Sequence, residues 1–94
     1  MSIFLKGIIT NKLKQLSPEE VTHYGHQYGF KVSKAEAKEI TNYLKNHSID
    51  PFSATDRKKA FQQLAQITST ETAKKAERLF VQLITSYGLE SLFN

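Results

Sequence analysis

The chain has 94 residues, 13 of them Lys or Arg and 9 Asp or Glu, for a formal net charge of +4. That length fits one domain, and 39% hydrophobic with 23% charged residues is the composition of a folded globular chain rather than a disordered one. The absence of cysteine excludes disulfides, a thiol nucleophile and thiolate metal ligation, and it is compatible with the reducing cytoplasm, where the protein is expected to reside.

The first helix is expected from about Ile3 to Gln15. Phe4, Leu5, Ile8, Ile9, Leu13 and Leu16 share one broad arc, with Lys12 near its centre burying its stem and extending its ammonium to water. Lys6 interrupts the apolar residues and no small-residue cleavage pattern follows, so neither a signal peptide nor a membrane span is expected. Lys6, Lys12 and Lys14 make this helix basic, but a lysine inside the arc argues against deep insertion at an anionic membrane surface.

The second helix starts with Ser17 as cap, Pro18 at the first helical position and Glu20 completing a capping box, while Leu16 and Val21 have hydrophobic-staple spacing. Its inner face is read as Val21, Tyr24, Gly25 and Tyr28, and Gly29 ends it. Phe30 and Val32 pin the following turn. Ser33 and Glu36 open the third helix, Lys34 to about Asn46, with Ala37, Ile40, Tyr43 and Leu44 on its buried face.

Asp50-Pro51 breaks the helical pattern, because the residue before proline disfavours the helical region. Ser53 and Asp56 then start a fourth helix, Ala54 to about Gln66, burying Ala60, Phe61, Leu64, Ala65 and Ile67. The longest periodic stretch, Thr68 to Leu89, places Ala73, Ala76, Leu79, Phe80, Leu83, Ile84 and Tyr87 on one face. Thr68 with Glu71 has capping-box spacing, with Ser69 or Thr70 as alternative caps, and Gly88-Leu89 has the form of a Schellman stop. The other helices are expected to fold against this one, and the tail through Leu92 and Phe93 to dock as a short turn. No stretch alternates with period two, so the fold is read as all-α: a compact single-domain bundle of about five short helices spanning residues 1–94.

No Gly-x-Ser-x-Gly elbow or glycine-rich phosphate loop occurs, and the serines and threonines already serve as caps, so a non-enzymatic protein without cofactor is expected. His23 and His26 with Glu19 offer two imidazoles and a carboxylate on one helix, yet only distant His47 could complete a ligand set, and no metal site is expected. Two binding surfaces stand out. Lys34, Lys38 and Lys45 form a stripe on the third helix beside Thr41 and Asn42, whose hydroxyl and amide groups suit phosphates or base edges. Helix, turn and capped helix also outline a helix-turn-helix, which makes nucleic acid the alternative partner. The leading reading is protein–protein interaction or self-association through apolar surface left over by the helix assignments, namely Phe4, Ile8, Val81, Leu92 and Phe93.

The opening MSIFLKGIITNKLKQLSPEEVTHYGHQYG, the segment DPFSATDRKKAFQQLAQIT and the following STETAKKAERLFVQL resemble a family of short helical proteins from Bacillus-type bacteria known as a domain of unknown function. The resemblance extends to about Leu83. It implies a bacterial cytoplasmic protein with no established activity, and it carries over no functional residue.

Overall fold

The computed structural model describes residues 2–92, and the side-chain surroundings of 4–91. Five α-helices follow one another: α1 (Ser2–Gln15), α2 (Pro18–Gln27), α3 (Lys34–Asn46), α4 (Ala54–Ile67) and α5 (Thr70–Ser86), and a 3-10 turn covers Glu90–Leu92. No strand occurs among the described residues, so the protein is all-α. The longest principal extent is 36 Å and the radius of gyration 12.9 Å, close to the roughly 12.4 Å of a compact chain of this length.

Local chemistry fixes the helix boundaries. At α2 the Ser17 hydroxyl accepts from the Glu20 N–H while the Glu20 carboxylate accepts from the Ser17 N–H, at 3.1 and 3.0 Å. Ser33 and Glu36 repeat the exchange at 3.1 and 2.9 Å. The start of α4 departs from the expected box. Ser53 accepts from the Asp56 N–H at 3.3 Å, but the Asp56 carboxylate accepts from the Asp50 N–H at 2.8 Å instead of reaching back to Ser53. The Ser53 N–H goes to the Asp50 carbonyl.

Both glycine stops form complete Schellman motifs. Gly29 (φ 82°) and Gly88 (φ 64°) take the left-handed position, the Phe30 N–H donates to the Gly25 carbonyl and the Leu89 N–H to the Ile84 carbonyl.

The cap of α5 is Ser69, whose hydroxyl accepts from the Thr72 N–H at 3.0 Å. Thr68 closes α4 instead, its hydroxyl and its N–H both donating to the Leu64 carbonyl. The Thr68–Glu71 box is therefore not formed, because Thr68 is already committed to the preceding helix. Ser69→Ala is expected to cost about 1 kcal/mol of unfolding free energy, since it strands an N–H at a helix start. A urea titration in which Thr68→Ala costs clearly more than Ser69→Ala would reverse the assignment of the cap.

The packing centre is α3, not α5. α3 packs on α1, α2 and α4, whereas the main neighbour of α5 is α4. Small side chains make this arrangement accessible: Ala37 is completely buried and Thr41, one turn later, is 2% exposed, so several helices approach α3 closely. The Thr41 hydroxyl donates to the Lys38 carbonyl at 3.1 Å, which satisfies its polarity inside the core.

Ala73 and Phe52, each 4% exposed, are also buried, as is Pro51. Phe52 lies in the α3–α4 connector, outside every helical stripe. An Asx turn holds it, the Phe52 N–H donating to Asp50 Oδ1 at 2.9 Å, and Lys6 of α1 places its ammonium 5.3 Å from the ring centre. Three tyrosines differ from the sequence reading, because Tyr24, Tyr28 and Tyr87 are exposed rather than core. Their hydroxyls stay hydrated while Val21 and Leu83, on the same helices, are half-buried.

Lys12 does send its ammonium outward from α1. It meets Glu20 of α2 at 2.6 Å. This hydrogen bond holds the Lys12 amine above its ordinary range and is the main reason why the Glu20 carboxyl lies below its own. The Glu20 contribution is present above the unfolded carboxyl pKa and lost as pH falls through the lowered folded value. The Lys12 contribution is present below the unfolded amine pKa and lost as pH rises through the raised folded value.

Candidate functional site

Two kinds of surface carry the functional argument, one apolar and one basic. On α1, helical periodicity splits the apolar arc in two. Ile9, Leu13 and Leu16 are half-buried on the inner side, while Phe4 (78% exposed), Leu5 and Ile8 (66%) form an exposed ridge. The arc is wider than the face one neighbouring helix can cover, so the first two turns leave apolar side chains in water.

Val81 of α5 is likewise exposed. It borders a groove of about 600 Å³ between α4 and α5, lined on its apolar side by Phe61, Phe80 and Ile84. The two phenyl rings meet edge to face at 6.1 Å, and the Arg57 guanidinium lies 5.6 Å from the Phe80 centre. Phe4 and Ile8 thus sit on a helix packed chiefly on α3, and Val81 on a helix packed chiefly on α4. Leu92 belongs to the 3-10 turn, but its side chain and the whole of Phe93 lie outside the described residues.

On α3, Lys34, Lys38, Asn42 and Lys45 are all exposed. Thr41 does not belong with them. It was expected to flank the stripe, yet it lies one turn from Ala37 on the buried side and points into the core, where it cannot reach a phosphate or a base edge. The position angle on a helical wheel is intermediate, and the small size of the side chain is what lets it go inside.

The histidines of α2 have a setting that sequence reasoning missed. His23 and His26 line a cleft of about 500 Å³ together with Pro18, Glu19 and Thr22 of their own helix and with Lys34 and Lys38 of α3. Among the described residues, no group of three His, Cys, Asp or Glu side chains is placed to hold a metal ion. His47 stands elsewhere, its ring stacked on Tyr43 at 4.2 Å and its Nδ1 2.9 Å from the Tyr43 carbonyl, where the Nδ1–H tautomer donates to a helix C-terminal oxygen. No described helix is long and apolar enough to cross a membrane.

No solved structure matches the chain. Among curated proteins, an uncharacterized Bacillus subtilis (strain 168) protein, YqfT, is 31% identical over 80 residues, covering 85% of this chain and 95% of that protein. A family described as a protein of unknown function matches residues 1–84, from α1 through most of α5. The chain therefore belongs to the DUF2624 family.

Proposed function

We propose that the protein is a non-enzymatic helical module that self-associates, a second copy covering the α1 ridge of Phe4, Leu5 and Ile8. The observation that carries this reading is the ridge itself, where Phe4 is 78% and Ile8 66% exposed beside exposed Leu5. No large side chain among the described residues is fully buried, and seven large apolar or aromatic ones are exposed.

A copy of the same chain suits the ridge because a two-fold axis through it brings identical apolar side chains together. That arrangement sends the Lys12–Lys14 end of each helix to opposite ends of the pair, and Lys12 is already matched by Glu20 within its own chain.

Sedimentation equilibrium is expected to show a concentration-dependent dimer for the native sequence. The Phe4→Ser, Ile8→Ser double variant should associate at least about tenfold more weakly, a loss of about 1.4 kcal/mol, with unchanged helical content. A native protein that remains monomeric up to about 1 mM overturns the proposal.

A further inference from the structure

The α2–α3 cleft brings together residues that the sequence keeps apart. Lys34 and Lys38 stand one turn apart on one wall, and His23 and His26 one turn apart on the other. All four side chains are exposed. Two other lysines have acceptors, Lys12 the Glu20 carboxylate and Lys75 the Gly29 carbonyl at 2.7 Å. The Lys34 and Lys38 ammoniums have neither an ion pair nor a hydrogen bond among the described residues. The Thr22 hydroxyl donates to the Pro18 carbonyl at 2.7 Å, so its proton is already used. Glu19 is the only carboxylate lining the cleft among the described residues.

We infer that this cleft binds phosphate groups, held between the two lysine ammoniums of α3 and the two imidazoles of α2. Each ammonium carries three N–H donors, and each neutral imidazole carries one. Donors arriving from two walls can engage different oxygens of a tetrahedral anion. Glu19 repels an anion from its own immediate surroundings. The open cleft of about 500 Å³ has room for more than one phosphate, so it can take a chain of them. Two sources share that chemistry, the backbone of a single nucleic-acid strand and free inorganic polyphosphate. They differ in where they continue. A strand leaving the cleft along α3 passes Asn42 and Lys45, which lie on the same exposed face outside the cleft.

Inorganic tripolyphosphate by calorimetry and a fluorescein-labelled single-stranded oligonucleotide by anisotropy provide the two arms. Lys34→Ala, Lys38→Ala is expected to weaken tripolyphosphate binding by about tenfold or more, and His23→Gln, His26→Gln by a smaller factor. The charge-matched control Lys14→Ala, Lys59→Ala, at exposed positions outside the cleft, should change it less than about twofold. On the oligonucleotide, each cleft lysine removed should flatten the log–log salt dependence by about 0.7. Weakening of oligonucleotide but not tripolyphosphate binding by Lys45→Ala assigns the strand as the source; equal indifference of both assigns free polyphosphate. Failure of both probes to bind at low salt, or an equal loss in the control and the cleft variants, overturns the inference. Circular dichroism of each variant checks that the helices persist.

Discussion

Replacing Phe52 by alanine is expected to remove about 3 to 5 kcal/mol of stability, which is a large part of the 5 to 15 kcal/mol that holds a small domain folded. Phe52 is 4% exposed, and it is the only large apolar side chain among the described residues buried to that degree. Its surroundings are fixed from several directions. The Asp50 carboxylate accepts the Phe52 N–H, the Asp56 carboxylate holds Asp50 in place, and Arg57 donates to the Pro51 carbonyl at 3.0 Å. Such a framework does not collapse into the vacated space, so the cavity cost adds to the lost transfer free energy. Tyr87→Ala, at a site 71% exposed, should change stability by less than about 0.5 kcal/mol. A Phe52→Ala loss below about 1 kcal/mol in urea unfolding would mean that the connector is peripheral.

The second large effect comes from adding atoms. Ala37→Leu inserts three carbons at a site with no exposed surface on the helix that three others pack against, and about 1 to 3 kcal/mol of destabilisation is expected from the resulting strain. Ala35→Leu serves as the control, because Ala35 is exposed on the same helix and the two residue types differ little in helix propensity. Thermal unfolding in which both variants melt together would show that α3 is not the crowded centre of the fold.

The helix boundaries were legible in the sequence because caps and glycine stops act within a few residues. Ser17, Ser33, Gly29 and Gly88 behave as their local chemistry dictates, and the all-α class follows from the same signals. Which helix lies at the centre was not legible. The Thr68–Leu89 stretch has the cleanest apolar face, but centrality is decided by how closely neighbours approach, and the small side chains of Ala37 and Thr41 favour α3. Phe52 escaped notice for a related reason: it occupies a loop, where no period marks a buried residue. Leu83, taken from the stripe as a central core residue, is only half-buried because α5 has one principal neighbour.

The candidate sites divide in the same way. The exposure of Lys34, Lys38, Asn42 and Lys45 follows from helical period. Their meeting with His23 and His26 depends on how α2 crosses α3, which no spacing within either helix encodes. The apolar excess of α1 was visible as an arc too wide for one partner, though the division between its inner and outer halves needed α3 in place.

The link between Lys75 and Gly29 bears on how the molecule opens. The ammonium donates to the carbonyl of the glycine that ends α2, and it lies 5.1 Å from the centre of the Phe30 ring. Apart from its packing on α4, α5 meets the end of α2 through this exposed link, beside a small cleft that Phe30 and Leu79 line together. A surface contact of that kind holds by about 1 kcal/mol or less. Because α4 also packs on α3, it is α5 that is weakly tied to the first half of the chain, and α5 can loosen at its α2 end while α1, α2, α3 and the α3–α4 packing persist. Its amides would exchange with solvent through a subglobal opening that leaves those of α3 protected.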